Sequence, residues 1–159
     1  MNTWSGLPTH PLVVHAPIVL LPLLALATIA IALRSEWRQR FGLAVAIGDF
    51  LLIGLLLFAN HTGEFLMVKL QYQKVAHEHQ NLAETTRNLA ALMFLGCGFV
   101  VGAGRWSQRK GSGSPSWLKP LTAVASAVTV LVAVVTTVWL FRTGHAGAKI
   151  VYDGVLKNN

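Results

Sequence analysis

Four long apolar stretches dominate the pattern of hydrophobic and polar positions along this chain, at about residues 11–33, 42–59, 86–104 and 118–141. Each is close to the ~20 residues with which an α-helix crosses the hydrocarbon core of a bilayer. Short polar segments separate the stretches, so successive helices should run in opposite directions. We therefore predict an all-α fold, an integral membrane four-helix bundle that forms a single transmembrane domain over residues 1–159.

Residues beside the apolar stretches refine the bounds of the predicted helices. The second helix, 42–59, is followed by another apolar segment and should extend toward 73. The third helix should begin ahead of its apolar stretch and cover 78–104, because His79 continues a stripe spaced by three and four residues. Pro17 and Pro22 lie inside the first helix and predict a kink near its histidine end.

The two halves of the chain share a weak pattern. The second and fourth stretches are each followed by a Thr-Gly pair with a histidine beside it, at Thr62-Gly63 and Thr143-Gly144. The first and third helices each carry two histidines near their start. We expect two similar two-helix halves, related by an axis along the membrane normal. That symmetry would set His15 opposite His79, and His61 opposite His145.

Composition and charge agree with a membrane protein. Only 12% of the 159 residues are charged, whereas a soluble domain carries about 25%. The four apolar stretches occupy most of the chain, so we expect no soluble catalytic domain. The net charge of +7 comes from loops and helix ends, so it indicates membrane orientation rather than a nucleic-acid partner. Basic short loops stay in the cytoplasm. With 34–41 and 105–119 there, we expect a bacterial inner-membrane protein with both termini outside.

All six histidines are expected at that outer face, at the ends of the helices opposite the basic loops: His10, His15, His61, His77, His79 and His145. Neutral imidazole is the commonest protein metal ligand and an axial ligand of haem. Because Cys97 is the single cysteine, an iron–sulfur cluster has no thiolate pair. The pattern therefore predicts a histidine-ligated metal or haem site near this face.

The candidate ligands differ in their positions. His15 and His79 form the first pair, because both lie near the starts of parallel helices. His61 and His145 form the second pair. His10 lies at a helix cap, five residues from His15, and could bend back toward the same point. For each of them, a local hydrogen bond to a neighbouring carbonyl is the alternative to ligation.

Two end motifs resemble a known bacterial membrane family. Residues 10–18 read HPLVVHAPI and resemble the H-P-x-x-V-H-F-P-I opening of the family filed as domain of unknown function 2231, with Ala16 in place of the aromatic residue. Residues 143–155 resemble the family's glycine-rich close, although Asp153 stands where a histidine is often found. His79 resembles a family histidine at the start of the third helix. The resemblance covers nearly the whole chain and implies four membrane helices; relatives joined to electron-transfer modules imply, by analogy, a redox role.

These observations favour a membrane-embedded haem-b electron-transfer protein or subunit, more an electron-transfer component than a stand-alone enzyme. Its haem iron would be held by His15 and His79, alternatively by His61 and His145. A non-haem copper, iron or zinc site is the second interpretation. The third is an accessory or structural subunit whose histidines bond locally. The expected partners are the lipid membrane, a redox partner or larger membrane complex, and a second copy of the chain.

Asp49 stands alone near the middle of the second apolar stretch. A carboxylate at that depth costs about 2.5–3.5 kcal/mol on insertion scales. We therefore expect it to be bonded to a hydroxyl such as Thr28, Ser126 or Thr129. A structural role is favoured over a proton pathway, since no second buried acid continues a relay.

Overall fold

The fold is almost entirely helical in the computed structural model, which describes residues 3–4, 7–70 and 73–156. Its elements in chain order are β1 Thr3–Trp4, β2 Leu7–Pro8, α1 Thr9–Val13, α2 His15–Leu33, α3 Ser35–Leu70, α4 Gln73–Lys110, a 3₁₀ turn Gly111–Gly113 and α5 Leu118–Leu156. The short strands β1 and β2 pair antiparallel ahead of α1, a detail that the all-α prediction does not include.

Four helical spans are long and apolar enough to cross a membrane: Thr9–Leu33, Ser35–Leu66, Ala76–Gly113 and Leu118–Ile150. Large apolar side chains cover their outer surface; Leu26 is 64% and Phe141 68% exposed. Soluble monomers rarely expose such continuous apolar surface, whereas lipid tails solvate it. The predicted four-helix membrane bundle is thus confirmed.

The helices are longer than the apolar stretches that predicted them. The expected loop at 34–41 shrinks to Arg34, whose backbone is extended, and α3 begins at Ser35. The helix α4 continues to Lys110, and α5 continues to Leu156. An apolar stretch marks only the part of a helix that lies in hydrocarbon, while the backbone hydrogen bonds continue into the polar ends.

The expected extension of the second helix toward 73 is present as far as Leu70; residues 71 and 72 lie outside the described residues. The first span is interrupted near its start, whereas α2 runs without a break past Pro22. The helix is interrupted at Val14, between α1 and α2. Pro17 has no N–H to donate to the carbonyl of Val13, four residues earlier, which leaves a break in the helical ladder at this point.

The four spans pack in sequence order around a common core. Each of α2, α3 and α4 packs against the next helix, α5 closes back onto α2, and α2 also touches α4 across the diagonal. The main buried cluster draws on all four spans and includes Leu21, Leu52, Met93 and Ala133. This closed arrangement places the starts of α2 and α4 at the same end of the bundle.

Burial in the second half of the chain repeats that of the first half. Five of the six buried residues of α2 have a buried counterpart in α4 at a constant separation of 69 positions: Pro17/Thr86, Leu21/Ala90, Thr28/Cys97, Ile31/Val100 and Ala32/Val101. Buried residues of α3 repeat in α5 at a separation of 84 positions: Gly42/Ser126, Val45/Thr129, Asp49/Ala133, Leu52/Thr136, Leu56/Leu140 and Ala59/Thr143. The bundle is therefore two similar two-helix halves. In this register the counterpart of His79 is His10, and not His15 as the sequence pattern suggested.

Helix contacts are closest at Gly96 rather than at the Gly98 and Gly102 pair. A Cβ at Gly96 would lie 2.5 Å from the Oγ1 atom of Thr129 on α5, whereas a Cβ at Gly98 would meet no atom within 4 Å. The Thr129 hydroxyl is itself held, because it donates a 2.7 Å hydrogen bond to the carbonyl of Ala125. The α4–α5 contact thus requires glycine at position 96.

Gly96→Ala should therefore destabilise the bundle, by about 1–3 kcal/mol, because its methyl group overlaps a side chain that cannot easily move. Gly98→Ala is the matched control on the same helix and should leave stability unchanged or slightly higher, since alanine favours helix. Thermal unfolding of the two purified variants in detergent measures the difference. Equal melting temperatures would contradict the close approach at Gly96.

Candidate functional site

His10 lies in α1 and is half-buried at the end of the bundle where the spans α2 and α4 begin. Its Nδ1 atom is 3.0 Å from the backbone carbonyl of Ala59 and 3.3 Å from the Oγ1 atom of Thr62, both on α3. The Thr62 hydroxyl also donates to the Ala59 carbonyl. The imidazole ring of the first half is thus anchored to the second helix of that half.

His79 is anchored in the same way in the second half. It lies near the start of α4 and is half-buried, with its Nδ1 atom 2.9 Å from the backbone carbonyl of Thr143 on α5. The Thr143 side chain is buried beside it and bonds to Thr86 across 2.9 Å. This ring therefore has a fixed carbonyl partner.

The hydrogen-bond network assigns the same tautomer to both rings. A backbone carbonyl only accepts, so the Nδ1 atoms of His10 and His79 carry the proton and donate it. In the neutral form of each ring, the Nε2 atom is then an acceptor with a lone pair. Metal-binding histidines commonly have this arrangement, in which a carbonyl fixes one ring nitrogen and the other is the ligand.

The two rings lie in an edge-type contact and are counterparts in the two halves. Their centres are 6.3 Å apart and their planes are inclined by 78°. Each ring packs against a glycine: a Cβ at Gly63 would lie 2.9 Å from the Cε1 atom of His10, and a Cβ at Gly147 would lie 3.0 Å from the Cε1 atom of His79. These glycines are also counterparts, so the duplicated fold builds one ring site from each half.

A cavity of about 190 Å³ lies beside the two rings. Its wall is mainly small or apolar, and the polar side chains on it are Asn60, Glu64, Gln80 and Glu84. The amide of Gln80 donates to the Glu84 carboxylate at 3.2 Å. The Nδ2 atom of Asn60 is buried without a hydrogen-bond partner among the described residues, so it is a donor available to a ligand in this cavity.

The other histidines do not line this cavity. His15 is exposed, and its Nδ1 atom donates to the carbonyl of Pro11, one turn earlier in the chain. The side chains of His61, His77 and His145 are exposed as well. Within the part of the chain that the structure describes, no three His, Cys, Asp or Glu side chains converge closely enough to hold a metal ion. The ring that His79 meets is that of His10, whereas His15 takes the local carbonyl bond that was its alternative.

Sequence reasoning named His10 as a candidate but ranked it below His15. His10 is identified by the register of the repeat. Buried positions of the first and third spans align at a separation of 69 positions, which is also the separation of His10 and His79. The Gly63 and Gly147 contacts were not identified from sequence. They depend on how closely each imidazole approaches its neighbouring helix, which the chain pattern does not reveal.

Asp49 lies in the middle of the bundle, away from the histidines. Its side chain is 0% exposed, and its Oδ2 atom accepts a 2.9 Å hydrogen bond from the hydroxyl of Thr28. The expected hydroxyl partner is thus confirmed. The Oδ1 atom has no hydrogen-bond partner within the described segments. The counterpart of Asp49 in the second half is Ala133, so the acid is not required by the duplicated fold.

Comparison with known proteins identifies one family. The profile of the family described as "Predicted membrane protein (DUF2231)" matches residues 6–159, nearly the whole chain. No curated protein and no solved structure matches the chain.

Asp49→Asn should keep the bundle folded, because the amide preserves the size of the side chain and can accept the Thr28 bond. Asp49→Leu should lower the free energy of unfolding by about 1–3 kcal/mol, since it leaves the Thr28 hydroxyl without its acceptor. Melting temperatures in detergent compare the two variants. A loss of stability in Asp49→Asn as large as that in Asp49→Leu would show that the carboxyl group itself is required.

Proposed function

The chain belongs to the DUF2231 family of predicted membrane proteins, and we propose that it is a membrane electron-transfer protein or subunit that holds haem b between His10 and His79. The observation that carries the proposal is the pair of neighbouring imidazoles, whose ring centres are 6.3 Å apart, with one ring from each half of the bundle. This proposal keeps the haem interpretation of the sequence and changes the ligand pair.

The separation of the rings supports a shared metal ion. Two imidazoles that bind one ion from opposite sides, at the usual nitrogen–metal distance of about 2.0–2.1 Å, have ring centres about 6.4 Å apart. The protonated Nδ1 atoms of His10 and His79 leave both Nε2 lone pairs for the ion. Bound haem supplies a one-electron iron couple. The chain's own residues hold the two rings in place, beside a cavity whose wall is mainly small or apolar and also carries Glu64 and Glu84.

The size of the cavity favours a second candidate. A volume of about 190 Å³ is below the ~300–1,000 Å³ of typical small-molecule pockets, so a macrocycle requires the two halves to separate further at this end. A single copper, iron or zinc ion requires no such opening. The second candidate is therefore a non-haem metal-binding membrane protein that uses the same two imidazoles.

A spectrum of the protein purified from haem-supplemented cells tests the proposal. We expect a Soret band in the wild type and its loss in His10→Ala and in His79→Ala, because each removes one axial ligand. His79→Met should retain a ligand and shift the band instead. The matched control His15→Ala should keep the wild-type spectrum, because that imidazole is exposed and bonds within its own segment.

Three results would count against haem held by His10 and His79. A bound transition metal without a Soret band, lost in His10→Ala and kept in His15→Ala, supports the non-haem site. Neither haem nor metal in the wild type overturns both candidates. An equal loss of haem in all the histidine variants indicates general destabilisation and contradicts the assigned pair.

We also propose that the chain lies in the bacterial inner membrane with the histidine end outside, where it exchanges electrons with a redox partner or a larger membrane complex. The proposal rests on the basic residues at the opposite end, around Arg34 and between Arg105 and Lys119, since basic short loops stay in the cytoplasm. Alkaline phosphatase fused after Ser112 should be inactive, and phosphatase fused after the last residue should be active. The reverse result would place the histidine end in the cytoplasm.

A further inference from the structure

Another cavity lies at the opposite end of the bundle from the histidines. It has a volume of about 540 Å³ and lies between the ends of α2 and α4 and the starts of α3 and α5. Its wall carries two basic side chains, together with hydroxyl and amide groups: Arg38, Gln39, Ser107, Gln108, Lys119 and Thr122. Among the residues that the structure describes, none of those that line it is acidic. The cavity is thus rich in hydrogen-bond donors and carries positive charge.

Arg38 is the central group of this cavity. Its Nη1 atom is buried and has no hydrogen-bond partner among the residues that the structure describes. Its stem packs closely on α4, where a Cβ at Gly104 would lie 3.3 Å from the Cδ atom of Arg38. A buried guanidinium nitrogen without an acceptor is costly, unless an anion supplies one. The guanidinium group is thus held in a defined place, and a bound anion would supply its missing hydrogen-bond acceptor.

The duplicated fold does not explain this arginine. The counterpart of Arg38 in the second half is Thr122, and the counterpart of Lys119 in the first half is Ser35, by the same separation of 84 positions. Both residue pairs line the one cavity. The two cations therefore converge from non-equivalent positions, and they form a single asymmetric site rather than a repeated structural feature.

The surroundings indicate what kind of anion reaches the site. Exposed tryptophans at this end, Trp37, Trp106 and Trp117, are the side chains expected at the level of lipid headgroups. The end carries further basic residues: Arg34, Arg40, Arg105, Arg109 and Lys110. A cavity with a basic rim at the depth of the headgroups is accessible to the phosphate groups of anionic lipids and to free phosphate from the aqueous phase.

We propose that this cavity binds a phosphate group, with the Arg38 guanidinium and the Lys119 ammonium as its cationic partners. Arginine recognises phosphate through a planar fork of N–H donors, and lysine adds a point charge. The hydroxyl and amide groups of the wall supply further donors. The phosphate belongs either to an anionic phospholipid headgroup or to inorganic phosphate, and the experiment separates these two sources. The site is independent of any cofactor at the histidine end.

The test uses the full-length protein, purified in uncharged detergent and stripped of lipid. Melting temperatures are measured with added phosphatidylglycerol, with phosphatidylcholine and with inorganic phosphate. We expect phosphatidylglycerol to raise the melting temperature more than phosphatidylcholine does. A rise with inorganic phosphate alone identifies the free ion as the ligand instead. Equal effects of both lipids, and no effect of inorganic phosphate, would overturn the proposal.

Matched variants assign the effect to the cavity. Arg38→Gln should lower the affinity for the stabilising ligand about tenfold or more, because a charge-assisted hydrogen bond is lost. Arg40→Gln removes an equal charge from an exposed position of the same helix and should leave the affinity unchanged. Equal affinities in Arg38→Gln and the wild type would overturn the site.

Lys119→Gln keeps the test decisive if Arg38→Gln does not fold. Lys119 is exposed, so the variant should fold, and its affinity should fall relative to the control Lys110→Gln, which lies outside the cavity. Equal affinities in Lys119→Gln and Lys110→Gln would overturn the proposed site.

Discussion

The structure depends on one constraint: hydrocarbon offers no hydrogen-bond partner, so polar groups inside the bundle must be paired by the protein itself. The buried threonines Thr86, Thr129 and Thr136 each donate to the carbonyl one turn earlier on their own helix. Asp49 takes its hydrogen bond from Thr28 on the neighbouring span. The half-buried histidines follow the same rule, because their Nδ1 atoms bond to carbonyls of an adjacent helix. This pairing fixes one ring nitrogen and leaves the other available to a ligand.

Duplication explains which features occur twice and which occur once. Each half supplies a histidine near the start of its first span, a carbonyl partner on its second span and a glycine that admits the ring. The two rings are therefore held by equivalent residues of the two halves. A ligand shared by His10 and His79 would lie near the axis that relates the halves. Asp49 and Arg38 have Ala133 and Thr122 as counterparts, so the acid and the arginine each occur in one half only.

The two ends of the bundle offer different chemistry. The histidine end has two imidazoles beside a small, mainly apolar cavity, which suits a metal-centred group. The opposite end has a larger cavity with Arg38 and Lys119, which suits an anion. Between them lies the cluster around Leu21, Leu52 and Met93.

The sequence by itself determined the four spans, their order and the gathering of histidines at helix ends, because the length and hydrophobicity needed to cross a bilayer are local properties of the chain. It also determined that Asp49 needs a hydroxyl partner. Only the tertiary structure decided that His10, rather than His15, meets His79. That choice depends on the register between helices, and a shift of a few residues along a helix turns a side chain to another face. The position of Arg38 was decided in the same way, since its cavity forms only where four separate helix ends meet.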